Sequence, residues 1–130
     1  MAKQGSVVWS ELMTTEVKKA KAFYGKTLGL TFQAFDPSGE GNYWVAMAGG
    51  ESVWGLMDMT SRPGSPMGWF TYLAVDDVDA RVAEAVAVGG KLLAPVFDVP
   101  SVGRIAIVQD PAGAVIGWMK PAPVMASSPV

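Results

Sequence analysis

The chain has no cysteine and no histidine among its 130 residues. Without cysteine there is no disulfide, no thiolate nucleophile and no thiolate metal site. Without histidine the commonest general base near neutral pH and the commonest metal ligand are both missing. Ser-His-Asp chemistry and zinc sites of the ordinary type are therefore excluded. Runs of like charge are also absent: ten basic and twelve acidic residues give a formal charge of −2. That balance makes nucleic acid and anionic membrane surfaces poor partners. The apolar runs fall far short of the roughly 20 residues of a membrane span, and the opening MAKQGSVVW lacks the apolar core of a signal peptide. The expectation is a soluble, cytoplasmic protein whose chemistry is limited to carboxylates, Tyr, Lys, hydroxyls and backbone groups.

What is present suits a well-filled core. Half of the residues are hydrophobic, and a chain of this length defaults to one compact domain. SVVWSELM, residues 6–13, is rich in β-formers and partly alternates, so it reads as a strand. Thr14 or Thr15 can cap the next element, with Glu16 in its first turn, and Val17, Ala20, Phe23 and Tyr24 fall near helical spacing before Gly29 stops it. LTFQAF, 30–35, alternates as a strand, and DPSGEGN is turn chemistry. YWVAMA and ESVWGLMDM, around Gly49-Gly50, form a hairpin of strands 43–48 and 51–59. These Gly pairs, like Gly89-Gly90, precede no helix and are not phosphate cradles.

After SRPGSP, 61–66, the order repeats. WFTYLAV is a strand; Asp76 or Asp77 caps a helix through about Val88, which Gly89-Gly90 end. KLLAPVFDV is a strand with Pro95 inside it, hence an edge or a bulge. GRIAIVQ and AVIGWMK form a hairpin around DPAG, and the tail PAPVMASSPV carries no pattern and is expected to be mobile. Each half reads β-α-β-β-β. Trp9 aligns with Phe70, and Val53-Trp54-Gly55-Leu56-Met57 with Val115-Ile116-Gly117-Trp118-Met119. The boundaries implied are a first module over 1–60, a linker over 61–66, a second module over 67–121 and a tail over 122–130, all in one domain. Two copies at this long period fit a duplicated module better than a repeat array.

KAFYGKTLGL after the first strand, YLAVDDVDA, and VGGKLLAPVFDVPSVGRIAIVQDPAGAVIGWMK at the close resemble the glyoxalase/bleomycin-resistance/extradiol-dioxygenase proteins, the vicinal oxygen chelate superfamily. The resemblance covers residues 6–121. It implies an α+β fold of paired βαβββ modules whose sheets curl into a half-barrel with a concave cavity, and a homodimer. Metal-using members carry His, Glu or Gln in the first and last strand of each module. Carried over, those positions are Trp9, Gly55, Phe70 and Gly117. None offers a side-chain donor to a divalent ion, so neither a metal nor another cofactor is expected.

Strand alternation groups Trp9, Glu11 and Met13, then Phe70 with Tyr72, Val53 with Gly55 and Met57, and Val115 with Gly117 and Met119. If these face the cavity, Trp9 and Phe70 can stack on a flat ligand, or fill a closed site. Gly55 and Gly117 leave room for a ligand against bare backbone, or accommodate a kink or an opposing aromatic. Met57 is an adaptable lining residue. Glu11 is an acid/base or a ligand anchor, or a structural hydrogen-bonding group paired, for example, with Tyr72 or Arg104. Three readings follow: metal-free binding of a small apolar or aromatic molecule, in sequestration or resistance; a cofactor-free lyase or isomerase with Glu11 and Tyr72 as its catalytic pair; and a degenerate, non-catalytic module in protein association. Elemental analysis of protein purified without an affinity tag is expected to find no stoichiometric zinc, iron or manganese; a molar equivalent of any of them overturns the metal-free reading.

Overall fold

The computed structural model describes residues 2–36 and 40–123. Its elements run β1 (Val7–Thr14), α1 (Val17–Leu28), β2 (Thr31–Ala34), β3 (Tyr43–Ala48) and β4 (Glu51–Asp58), then β5 (Gly68–Ala74), α2 (Val78–Ala87), β6 (Lys91–Leu92), β7 (Phe97–Val99), β8 (Gly103–Gln109) and β9 (Val115–Pro121). The fold is α+β; the first half has the expected β-α-β-β-β order, and the second has it with its third element divided into β6 and β7. Backbone packing divides the described residues into two compact units, 9–70 and 71–123 with 2–8.

In the first unit the strand order is β2-β3-β4-β1. The β2-β3-β4 meander is antiparallel, and β1 lies parallel to β4 with Glu11 opposite Gly55 and Met13 opposite Met57. Across β2, β3 and β4, Phe32, Ala46 and Trp54 stand in register. Ala46 is fully buried, and its small side chain leaves room for the rings of Phe32 and Trp54, 5.7 Å apart edge to face. Tyr24 of α1 packs on Trp54 and Trp69, and the Lys21 ammonium sits 4.2 Å over the Trp44 ring. One sheet face is thus covered by α1 through aromatic contacts. The helix itself buries none of its residues fully: Phe23 and Leu28 are 59% and 62% exposed.

The start of α1 differs from expectation. Neither Thr caps its first turn; Glu16 is the N-cap without a side-chain cap bond, and Thr14 Oγ1 instead accepts the Glu16 N–H at 3.0 Å. The hydroxyl is spent on the turn one residue too early to reach the helix. The end is as read: Gly29 adopts the left-handed conformation at φ 69°, and its N–H reaches the Gly25 carbonyl.

In the second unit the order is β5-β9-β8-β6, with β7 also beside β8. Asp77 caps α2, accepting the Ala80 N–H at 3.1 Å. Val78 and Val82 of α2 join Val75, Ala106 and Val108 in a buried cluster, with Ile116 and Trp118 packed against it. The expected single strand over 91–99 is broken. Lys91–Leu92 pairs with Val108–Gln109 and Phe97–Val99 with Gly103–Ile105, and the residues around Pro95 leave the ladder between them. Proline has no N–H to give β8, so the strand divides there. The DPAG turn is closed by Asp110, whose carboxylate accepts the N–H groups of Ala112 and Ala114. The tail expected to be mobile lies, from residue 124 onward, outside the described residues. No helix among the described residues is long and apolar enough to cross a membrane.

A polar clasp ties the N-terminal segment to the start of α2. Asp76 takes the Gln4 amide at 3.2 Å and gives its own N–H to Gln4 Oε1 at 2.8 Å, while Arg81 holds both carboxylate oxygens. The Arg81 hydrogen bonds hold the Asp76 carboxyl at about 2, below its ordinary 3.8. A depressed carboxyl stabilises the folded chain above its ordinary value, and this contribution disappears as pH falls through the folded value. The stability advantage of the natural chain over Asp76→Asn, read by urea unfolding, is expected to be constant above about pH 4 and to shrink as pH falls toward about 2; an advantage unchanged across that window contradicts the clasp.

Candidate functional site

The alternation of β1 sends Trp9, Glu11 and Met13 to the sheet face opposite α1. On β4 the same face carries Val53, Gly55 and Met57, and on β3 it carries Tyr43 and Val45. Trp9 and Glu11 are 8% and 4% exposed, and Glu11 is the buried charged side chain among the described residues. A carboxylate cannot be buried there without hydrogen bonds. One partner is Tyr43: the phenol hydroxyl donates to Glu11 Oε1 at 2.8 Å and accepts the Trp9 indole N–H at 2.8 Å. The direction is fixed, because indole N–H can only donate, which leaves the phenol proton for the carboxylate.

Gly55 makes this chain of bonds possible. Tyr43 stands opposite Met57 in the β3–β4 ladder, and its ring slants across Gly55 to reach Glu11 on β1. A Cβ at Gly55 would lie 1.7 Å from the phenol oxygen and 2.4 Å from the ring carbon that bears it. No residue with a side chain fits beneath the ring.

Of the residues singled out from the sequence, Trp9, Glu11 and Gly55 thus meet around one phenol, with Met57 half-buried beside Tyr43 in the ladder. Phe70 is half-buried on β5. Tyr72 and Gly117 face each other as neighbours on parallel β5 and β9 in the second unit, and both are buried. The Glu11 bond described here runs to Tyr43, a residue that sequence reasoning placed only in a hairpin. Arg104, weighed as a Glu11 partner, is held by Asp79 and Asp98 in the second unit. Nothing in the sequence signals Tyr43: the plain Gly49-Gly50 hairpin sets it opposite Leu56, and only the bulge between Ala46 and Met47 moves it opposite Met57, diagonal to Gly55.

The four positions at which metal-using relatives carry ligands do not fit a divalent ion. Trp9 offers only a donor, already given to Tyr43. Gly55 is covered by the phenol, and Phe70 and Gly117 have no donor atom. Among the described residues no three acidic side chains come together as a metal site would need. A separate open recess of about 390 Å³, lined by Asp98, Pro100, Gly103, Arg104, Lys120 and Pro121, lies in the second unit; of the residues named from the sequence it contains Arg104 alone.

The family described as the Glyoxalase/Bleomycin resistance protein/Dioxygenase superfamily matches residues 6–117. The chain belongs to this superfamily. It is 44% identical over 119 residues to the Mycobacterium tuberculosis protein named "Putative glyoxylase CFP32", covering 92% of this chain and 45% of that protein. It is 30% identical over 130 residues to the anthracycline biosynthesis protein DnrV of Streptomyces peucetius, covering 89% of this chain and 47% of that one. The chain therefore spans under half the length of both relatives. Among solved structures, a superfamily member from Vibrio splendidus aligns with a TM-score of 0.56 at 20% identity over 88% of this chain and 97% of that one. Methylmalonyl-CoA epimerase from Mycobacterium tuberculosis aligns with a TM-score of 0.58 at 16% identity over 98% and 95%. At such identities these structures speak for the fold.

In an ordinary strand, alanine is better than glycine by roughly 0.5–1 kcal/mol. At Gly55 the sign is expected to reverse. Gly55→Ala evicts the phenol and removes two hydrogen bonds, one to a carboxylate, destabilising the chain by about 1–3 kcal/mol in urea unfolding. A Gly55→Ala chain more stable than the natural one contradicts the arrangement.

Proposed function

We propose that this chain binds a small, flat, apolar or aromatic molecule without metal on the face that carries Trp9, Glu11, Gly55 and Met57, with Phe70, Tyr72 and Gly117 as the counterpart residues of the second module, and that it acts in the cytoplasm in sequestration or resistance. The observation that carries this reading is the buried Glu11, held by Tyr43 among an indole, a methionine and bare glycine backbone. A face of that composition stacks on rings and anchors one polar group, which is how small-molecule sites combine apolar lining with a few placed polar atoms. The name of the Streptomyces peucetius relative, an anthracycline biosynthesis protein, supports a small-molecule ligand.

A second reading is a cofactor-free lyase or isomerase with Glu11 as acid/base and Tyr72 as a hydrogen-bonding partner. The position of Glu11 favours it, because a buried carboxylate that already holds a hydroxyl proton donor is placed to exchange a proton with a bound group. The relative from Mycobacterium tuberculosis, whose name points to glyoxylase chemistry, leans the same way. Glu11→Gln separates the two. Under the binding reading it weakens the ligand by a charged hydrogen bond, about 1.5–3 kcal/mol. Under the enzyme reading it abolishes turnover while binding survives. Ligand binding itself is expected to raise the melting temperature by mass action, about 2.7 kcal/mol at a hundredfold excess over Kd, with a change in Trp fluorescence. If no flat aromatic compound stabilises the chain, the third reading, a filled module in protein association, replaces both.

The chain is further proposed to form a homodimer. Trp69, Phe23 and Met67 of the first unit are each more than half exposed, an apolar liability that a second copy would cover. The relatives of about twice its length are consistent with two such domains acting together. Light scattering at micromolar concentration is expected to give twice the chain mass of 13.7 kDa; a monomer contradicts the dimer.

A further inference from the structure

The Tyr43 phenol occupies a slot with the properties of a ligand subsite. Its floor is the bare backbone of Gly55, where a Cβ would come within 1.7 Å of the phenol oxygen. At its end a donor, the Trp9 indole N–H, and an acceptor, Glu11 Oε1, each lie 2.8 Å from that oxygen. A donor and an acceptor converging on one point are complementary to a neutral hydroxyl, which gives one hydrogen bond and takes one. A carboxylate ligand would meet the Glu11 oxygen head-on. An ammonium could satisfy Glu11 but cannot accept the indole proton.

The occupant is also placed to leave. Tyr43 is the first residue of β3 and only half-buried. Its backbone is fixed on both sides: its carbonyl accepts the Phe35 N–H, and the neighbouring Asn42 carbonyl accepts the Asp58 N–H. Rotation about the Tyr43 side-chain torsions therefore moves the ring off Gly55 without disturbing the ladder.

We propose that the space over Gly55 is a subsite for a hydroxylated aromatic ring, occupied in the free protein by the chain's own Tyr43. The ligand's ring lies on the Gly55 backbone, and its hydroxyl donates to Glu11 and accepts from Trp9 as Tyr43 swings away. Tyr43 is then an internal competitor that lowers the apparent affinity by the fraction of time it fills the slot. This rests on the reading that the face binds a flat aromatic molecule, and it adds which ring substituent is read and by which two atoms.

The test uses the full chain and simple probes: p-cresol, toluene and 4-methylbenzoate. Binding is followed through the indole N–H resonance of Trp9, assigned with Trp9→Phe. Tyr43→Ala is expected to bind p-cresol about tenfold or more tighter than toluene, the scale of a well-made hydrogen bond to a charged group, and 4-methylbenzoate more weakly than either. Natural protein is expected to bind p-cresol saturably but more weakly than Tyr43→Ala does, with the Trp9 resonance shifting in both. Adding Gly55→Ala to Tyr43→Ala refills the floor and is expected to remove p-cresol binding while the circular dichroism spectrum stays that of the parent. If Tyr43→Ala does not fold, the titration of natural protein decides: a Trp9 shift with p-cresol and none with toluene supports the subsite. Equal affinity for p-cresol and toluene, in either chain, overturns the hydroxyl-reading subsite and leaves the broader aromatic-binding reading intact. Absence of binding by every aromatic probe overturns both.

Discussion

A carboxylate taken out of water has to be given hydrogen bonds by the protein, and in the first unit that requirement organises one whole face of the sheet. Glu11 is buried where β1 runs parallel to β4. The phenol that serves it comes from β3, one strand beyond, and must cross β4 to arrive. The crossing is possible only where β4 has no side chain, so the demand of Glu11 is met at Gly55. Trp9 then closes the arrangement by donating to the same phenol oxygen. Four residues on three strands are tied to a single oxygen atom, and the identity of each follows from the one before.

That linkage explains why the glycine of the first module is more than a lost ligand position. The sequence alignment of the two modules sets Gly55 beside Gly117 as equivalents. In the first unit the glycine accommodates a ring from its own sheet. In the second unit Gly117 faces Tyr72 across parallel strands, and the position on β8 that corresponds to Tyr43, opposite Met119, is held by Ile105, so no tyrosine stands there as Tyr43 does on β3. The duplicated plan is preserved in the order of elements and diverges in the chemistry that each glycine permits.

Most of the fold was legible because it is written in local signals. Asp77, Gly29 and the DPAG turn set backbone conformation within a few residues, and each acts where the sequence placed it. The α1 cap was misread because Thr14 and Thr15 carry the right functional group at an offset that only the backbone path decides. The strand over 91–99 was read as one element with Pro95 at an edge or a bulge; it lies at the end of the strand order, and the missing proline N–H divides it in two. At the site, Trp9, Glu11 and Gly55 were visible from strand period and module alignment. Tyr43 was not, because its role depends on cross-strand register and on a diagonal reach, neither of which is encoded in neighbouring residues. Of the residues at helical spacing on α1, Tyr24 packs against Trp54 while Phe23 is largely exposed.

The interruption at Pro95 bears on how a foreign strand could add to this sheet. In the second unit β6 ends the strand order, and a free sheet border is a template on which a foreign strand can add by backbone pairing. Here the border is cut into pieces of two and three residues, Lys91–Leu92 and Phe97–Val99, with a proline between them. An incoming strand finds no uninterrupted row of amide donors and acceptors longer than three residues, so fibre-like growth along this border is blocked by the covalent chain itself. Along this border, contact with another chain is left to side-chain surfaces, where shape and composition, and not generic backbone pairing, select the partner.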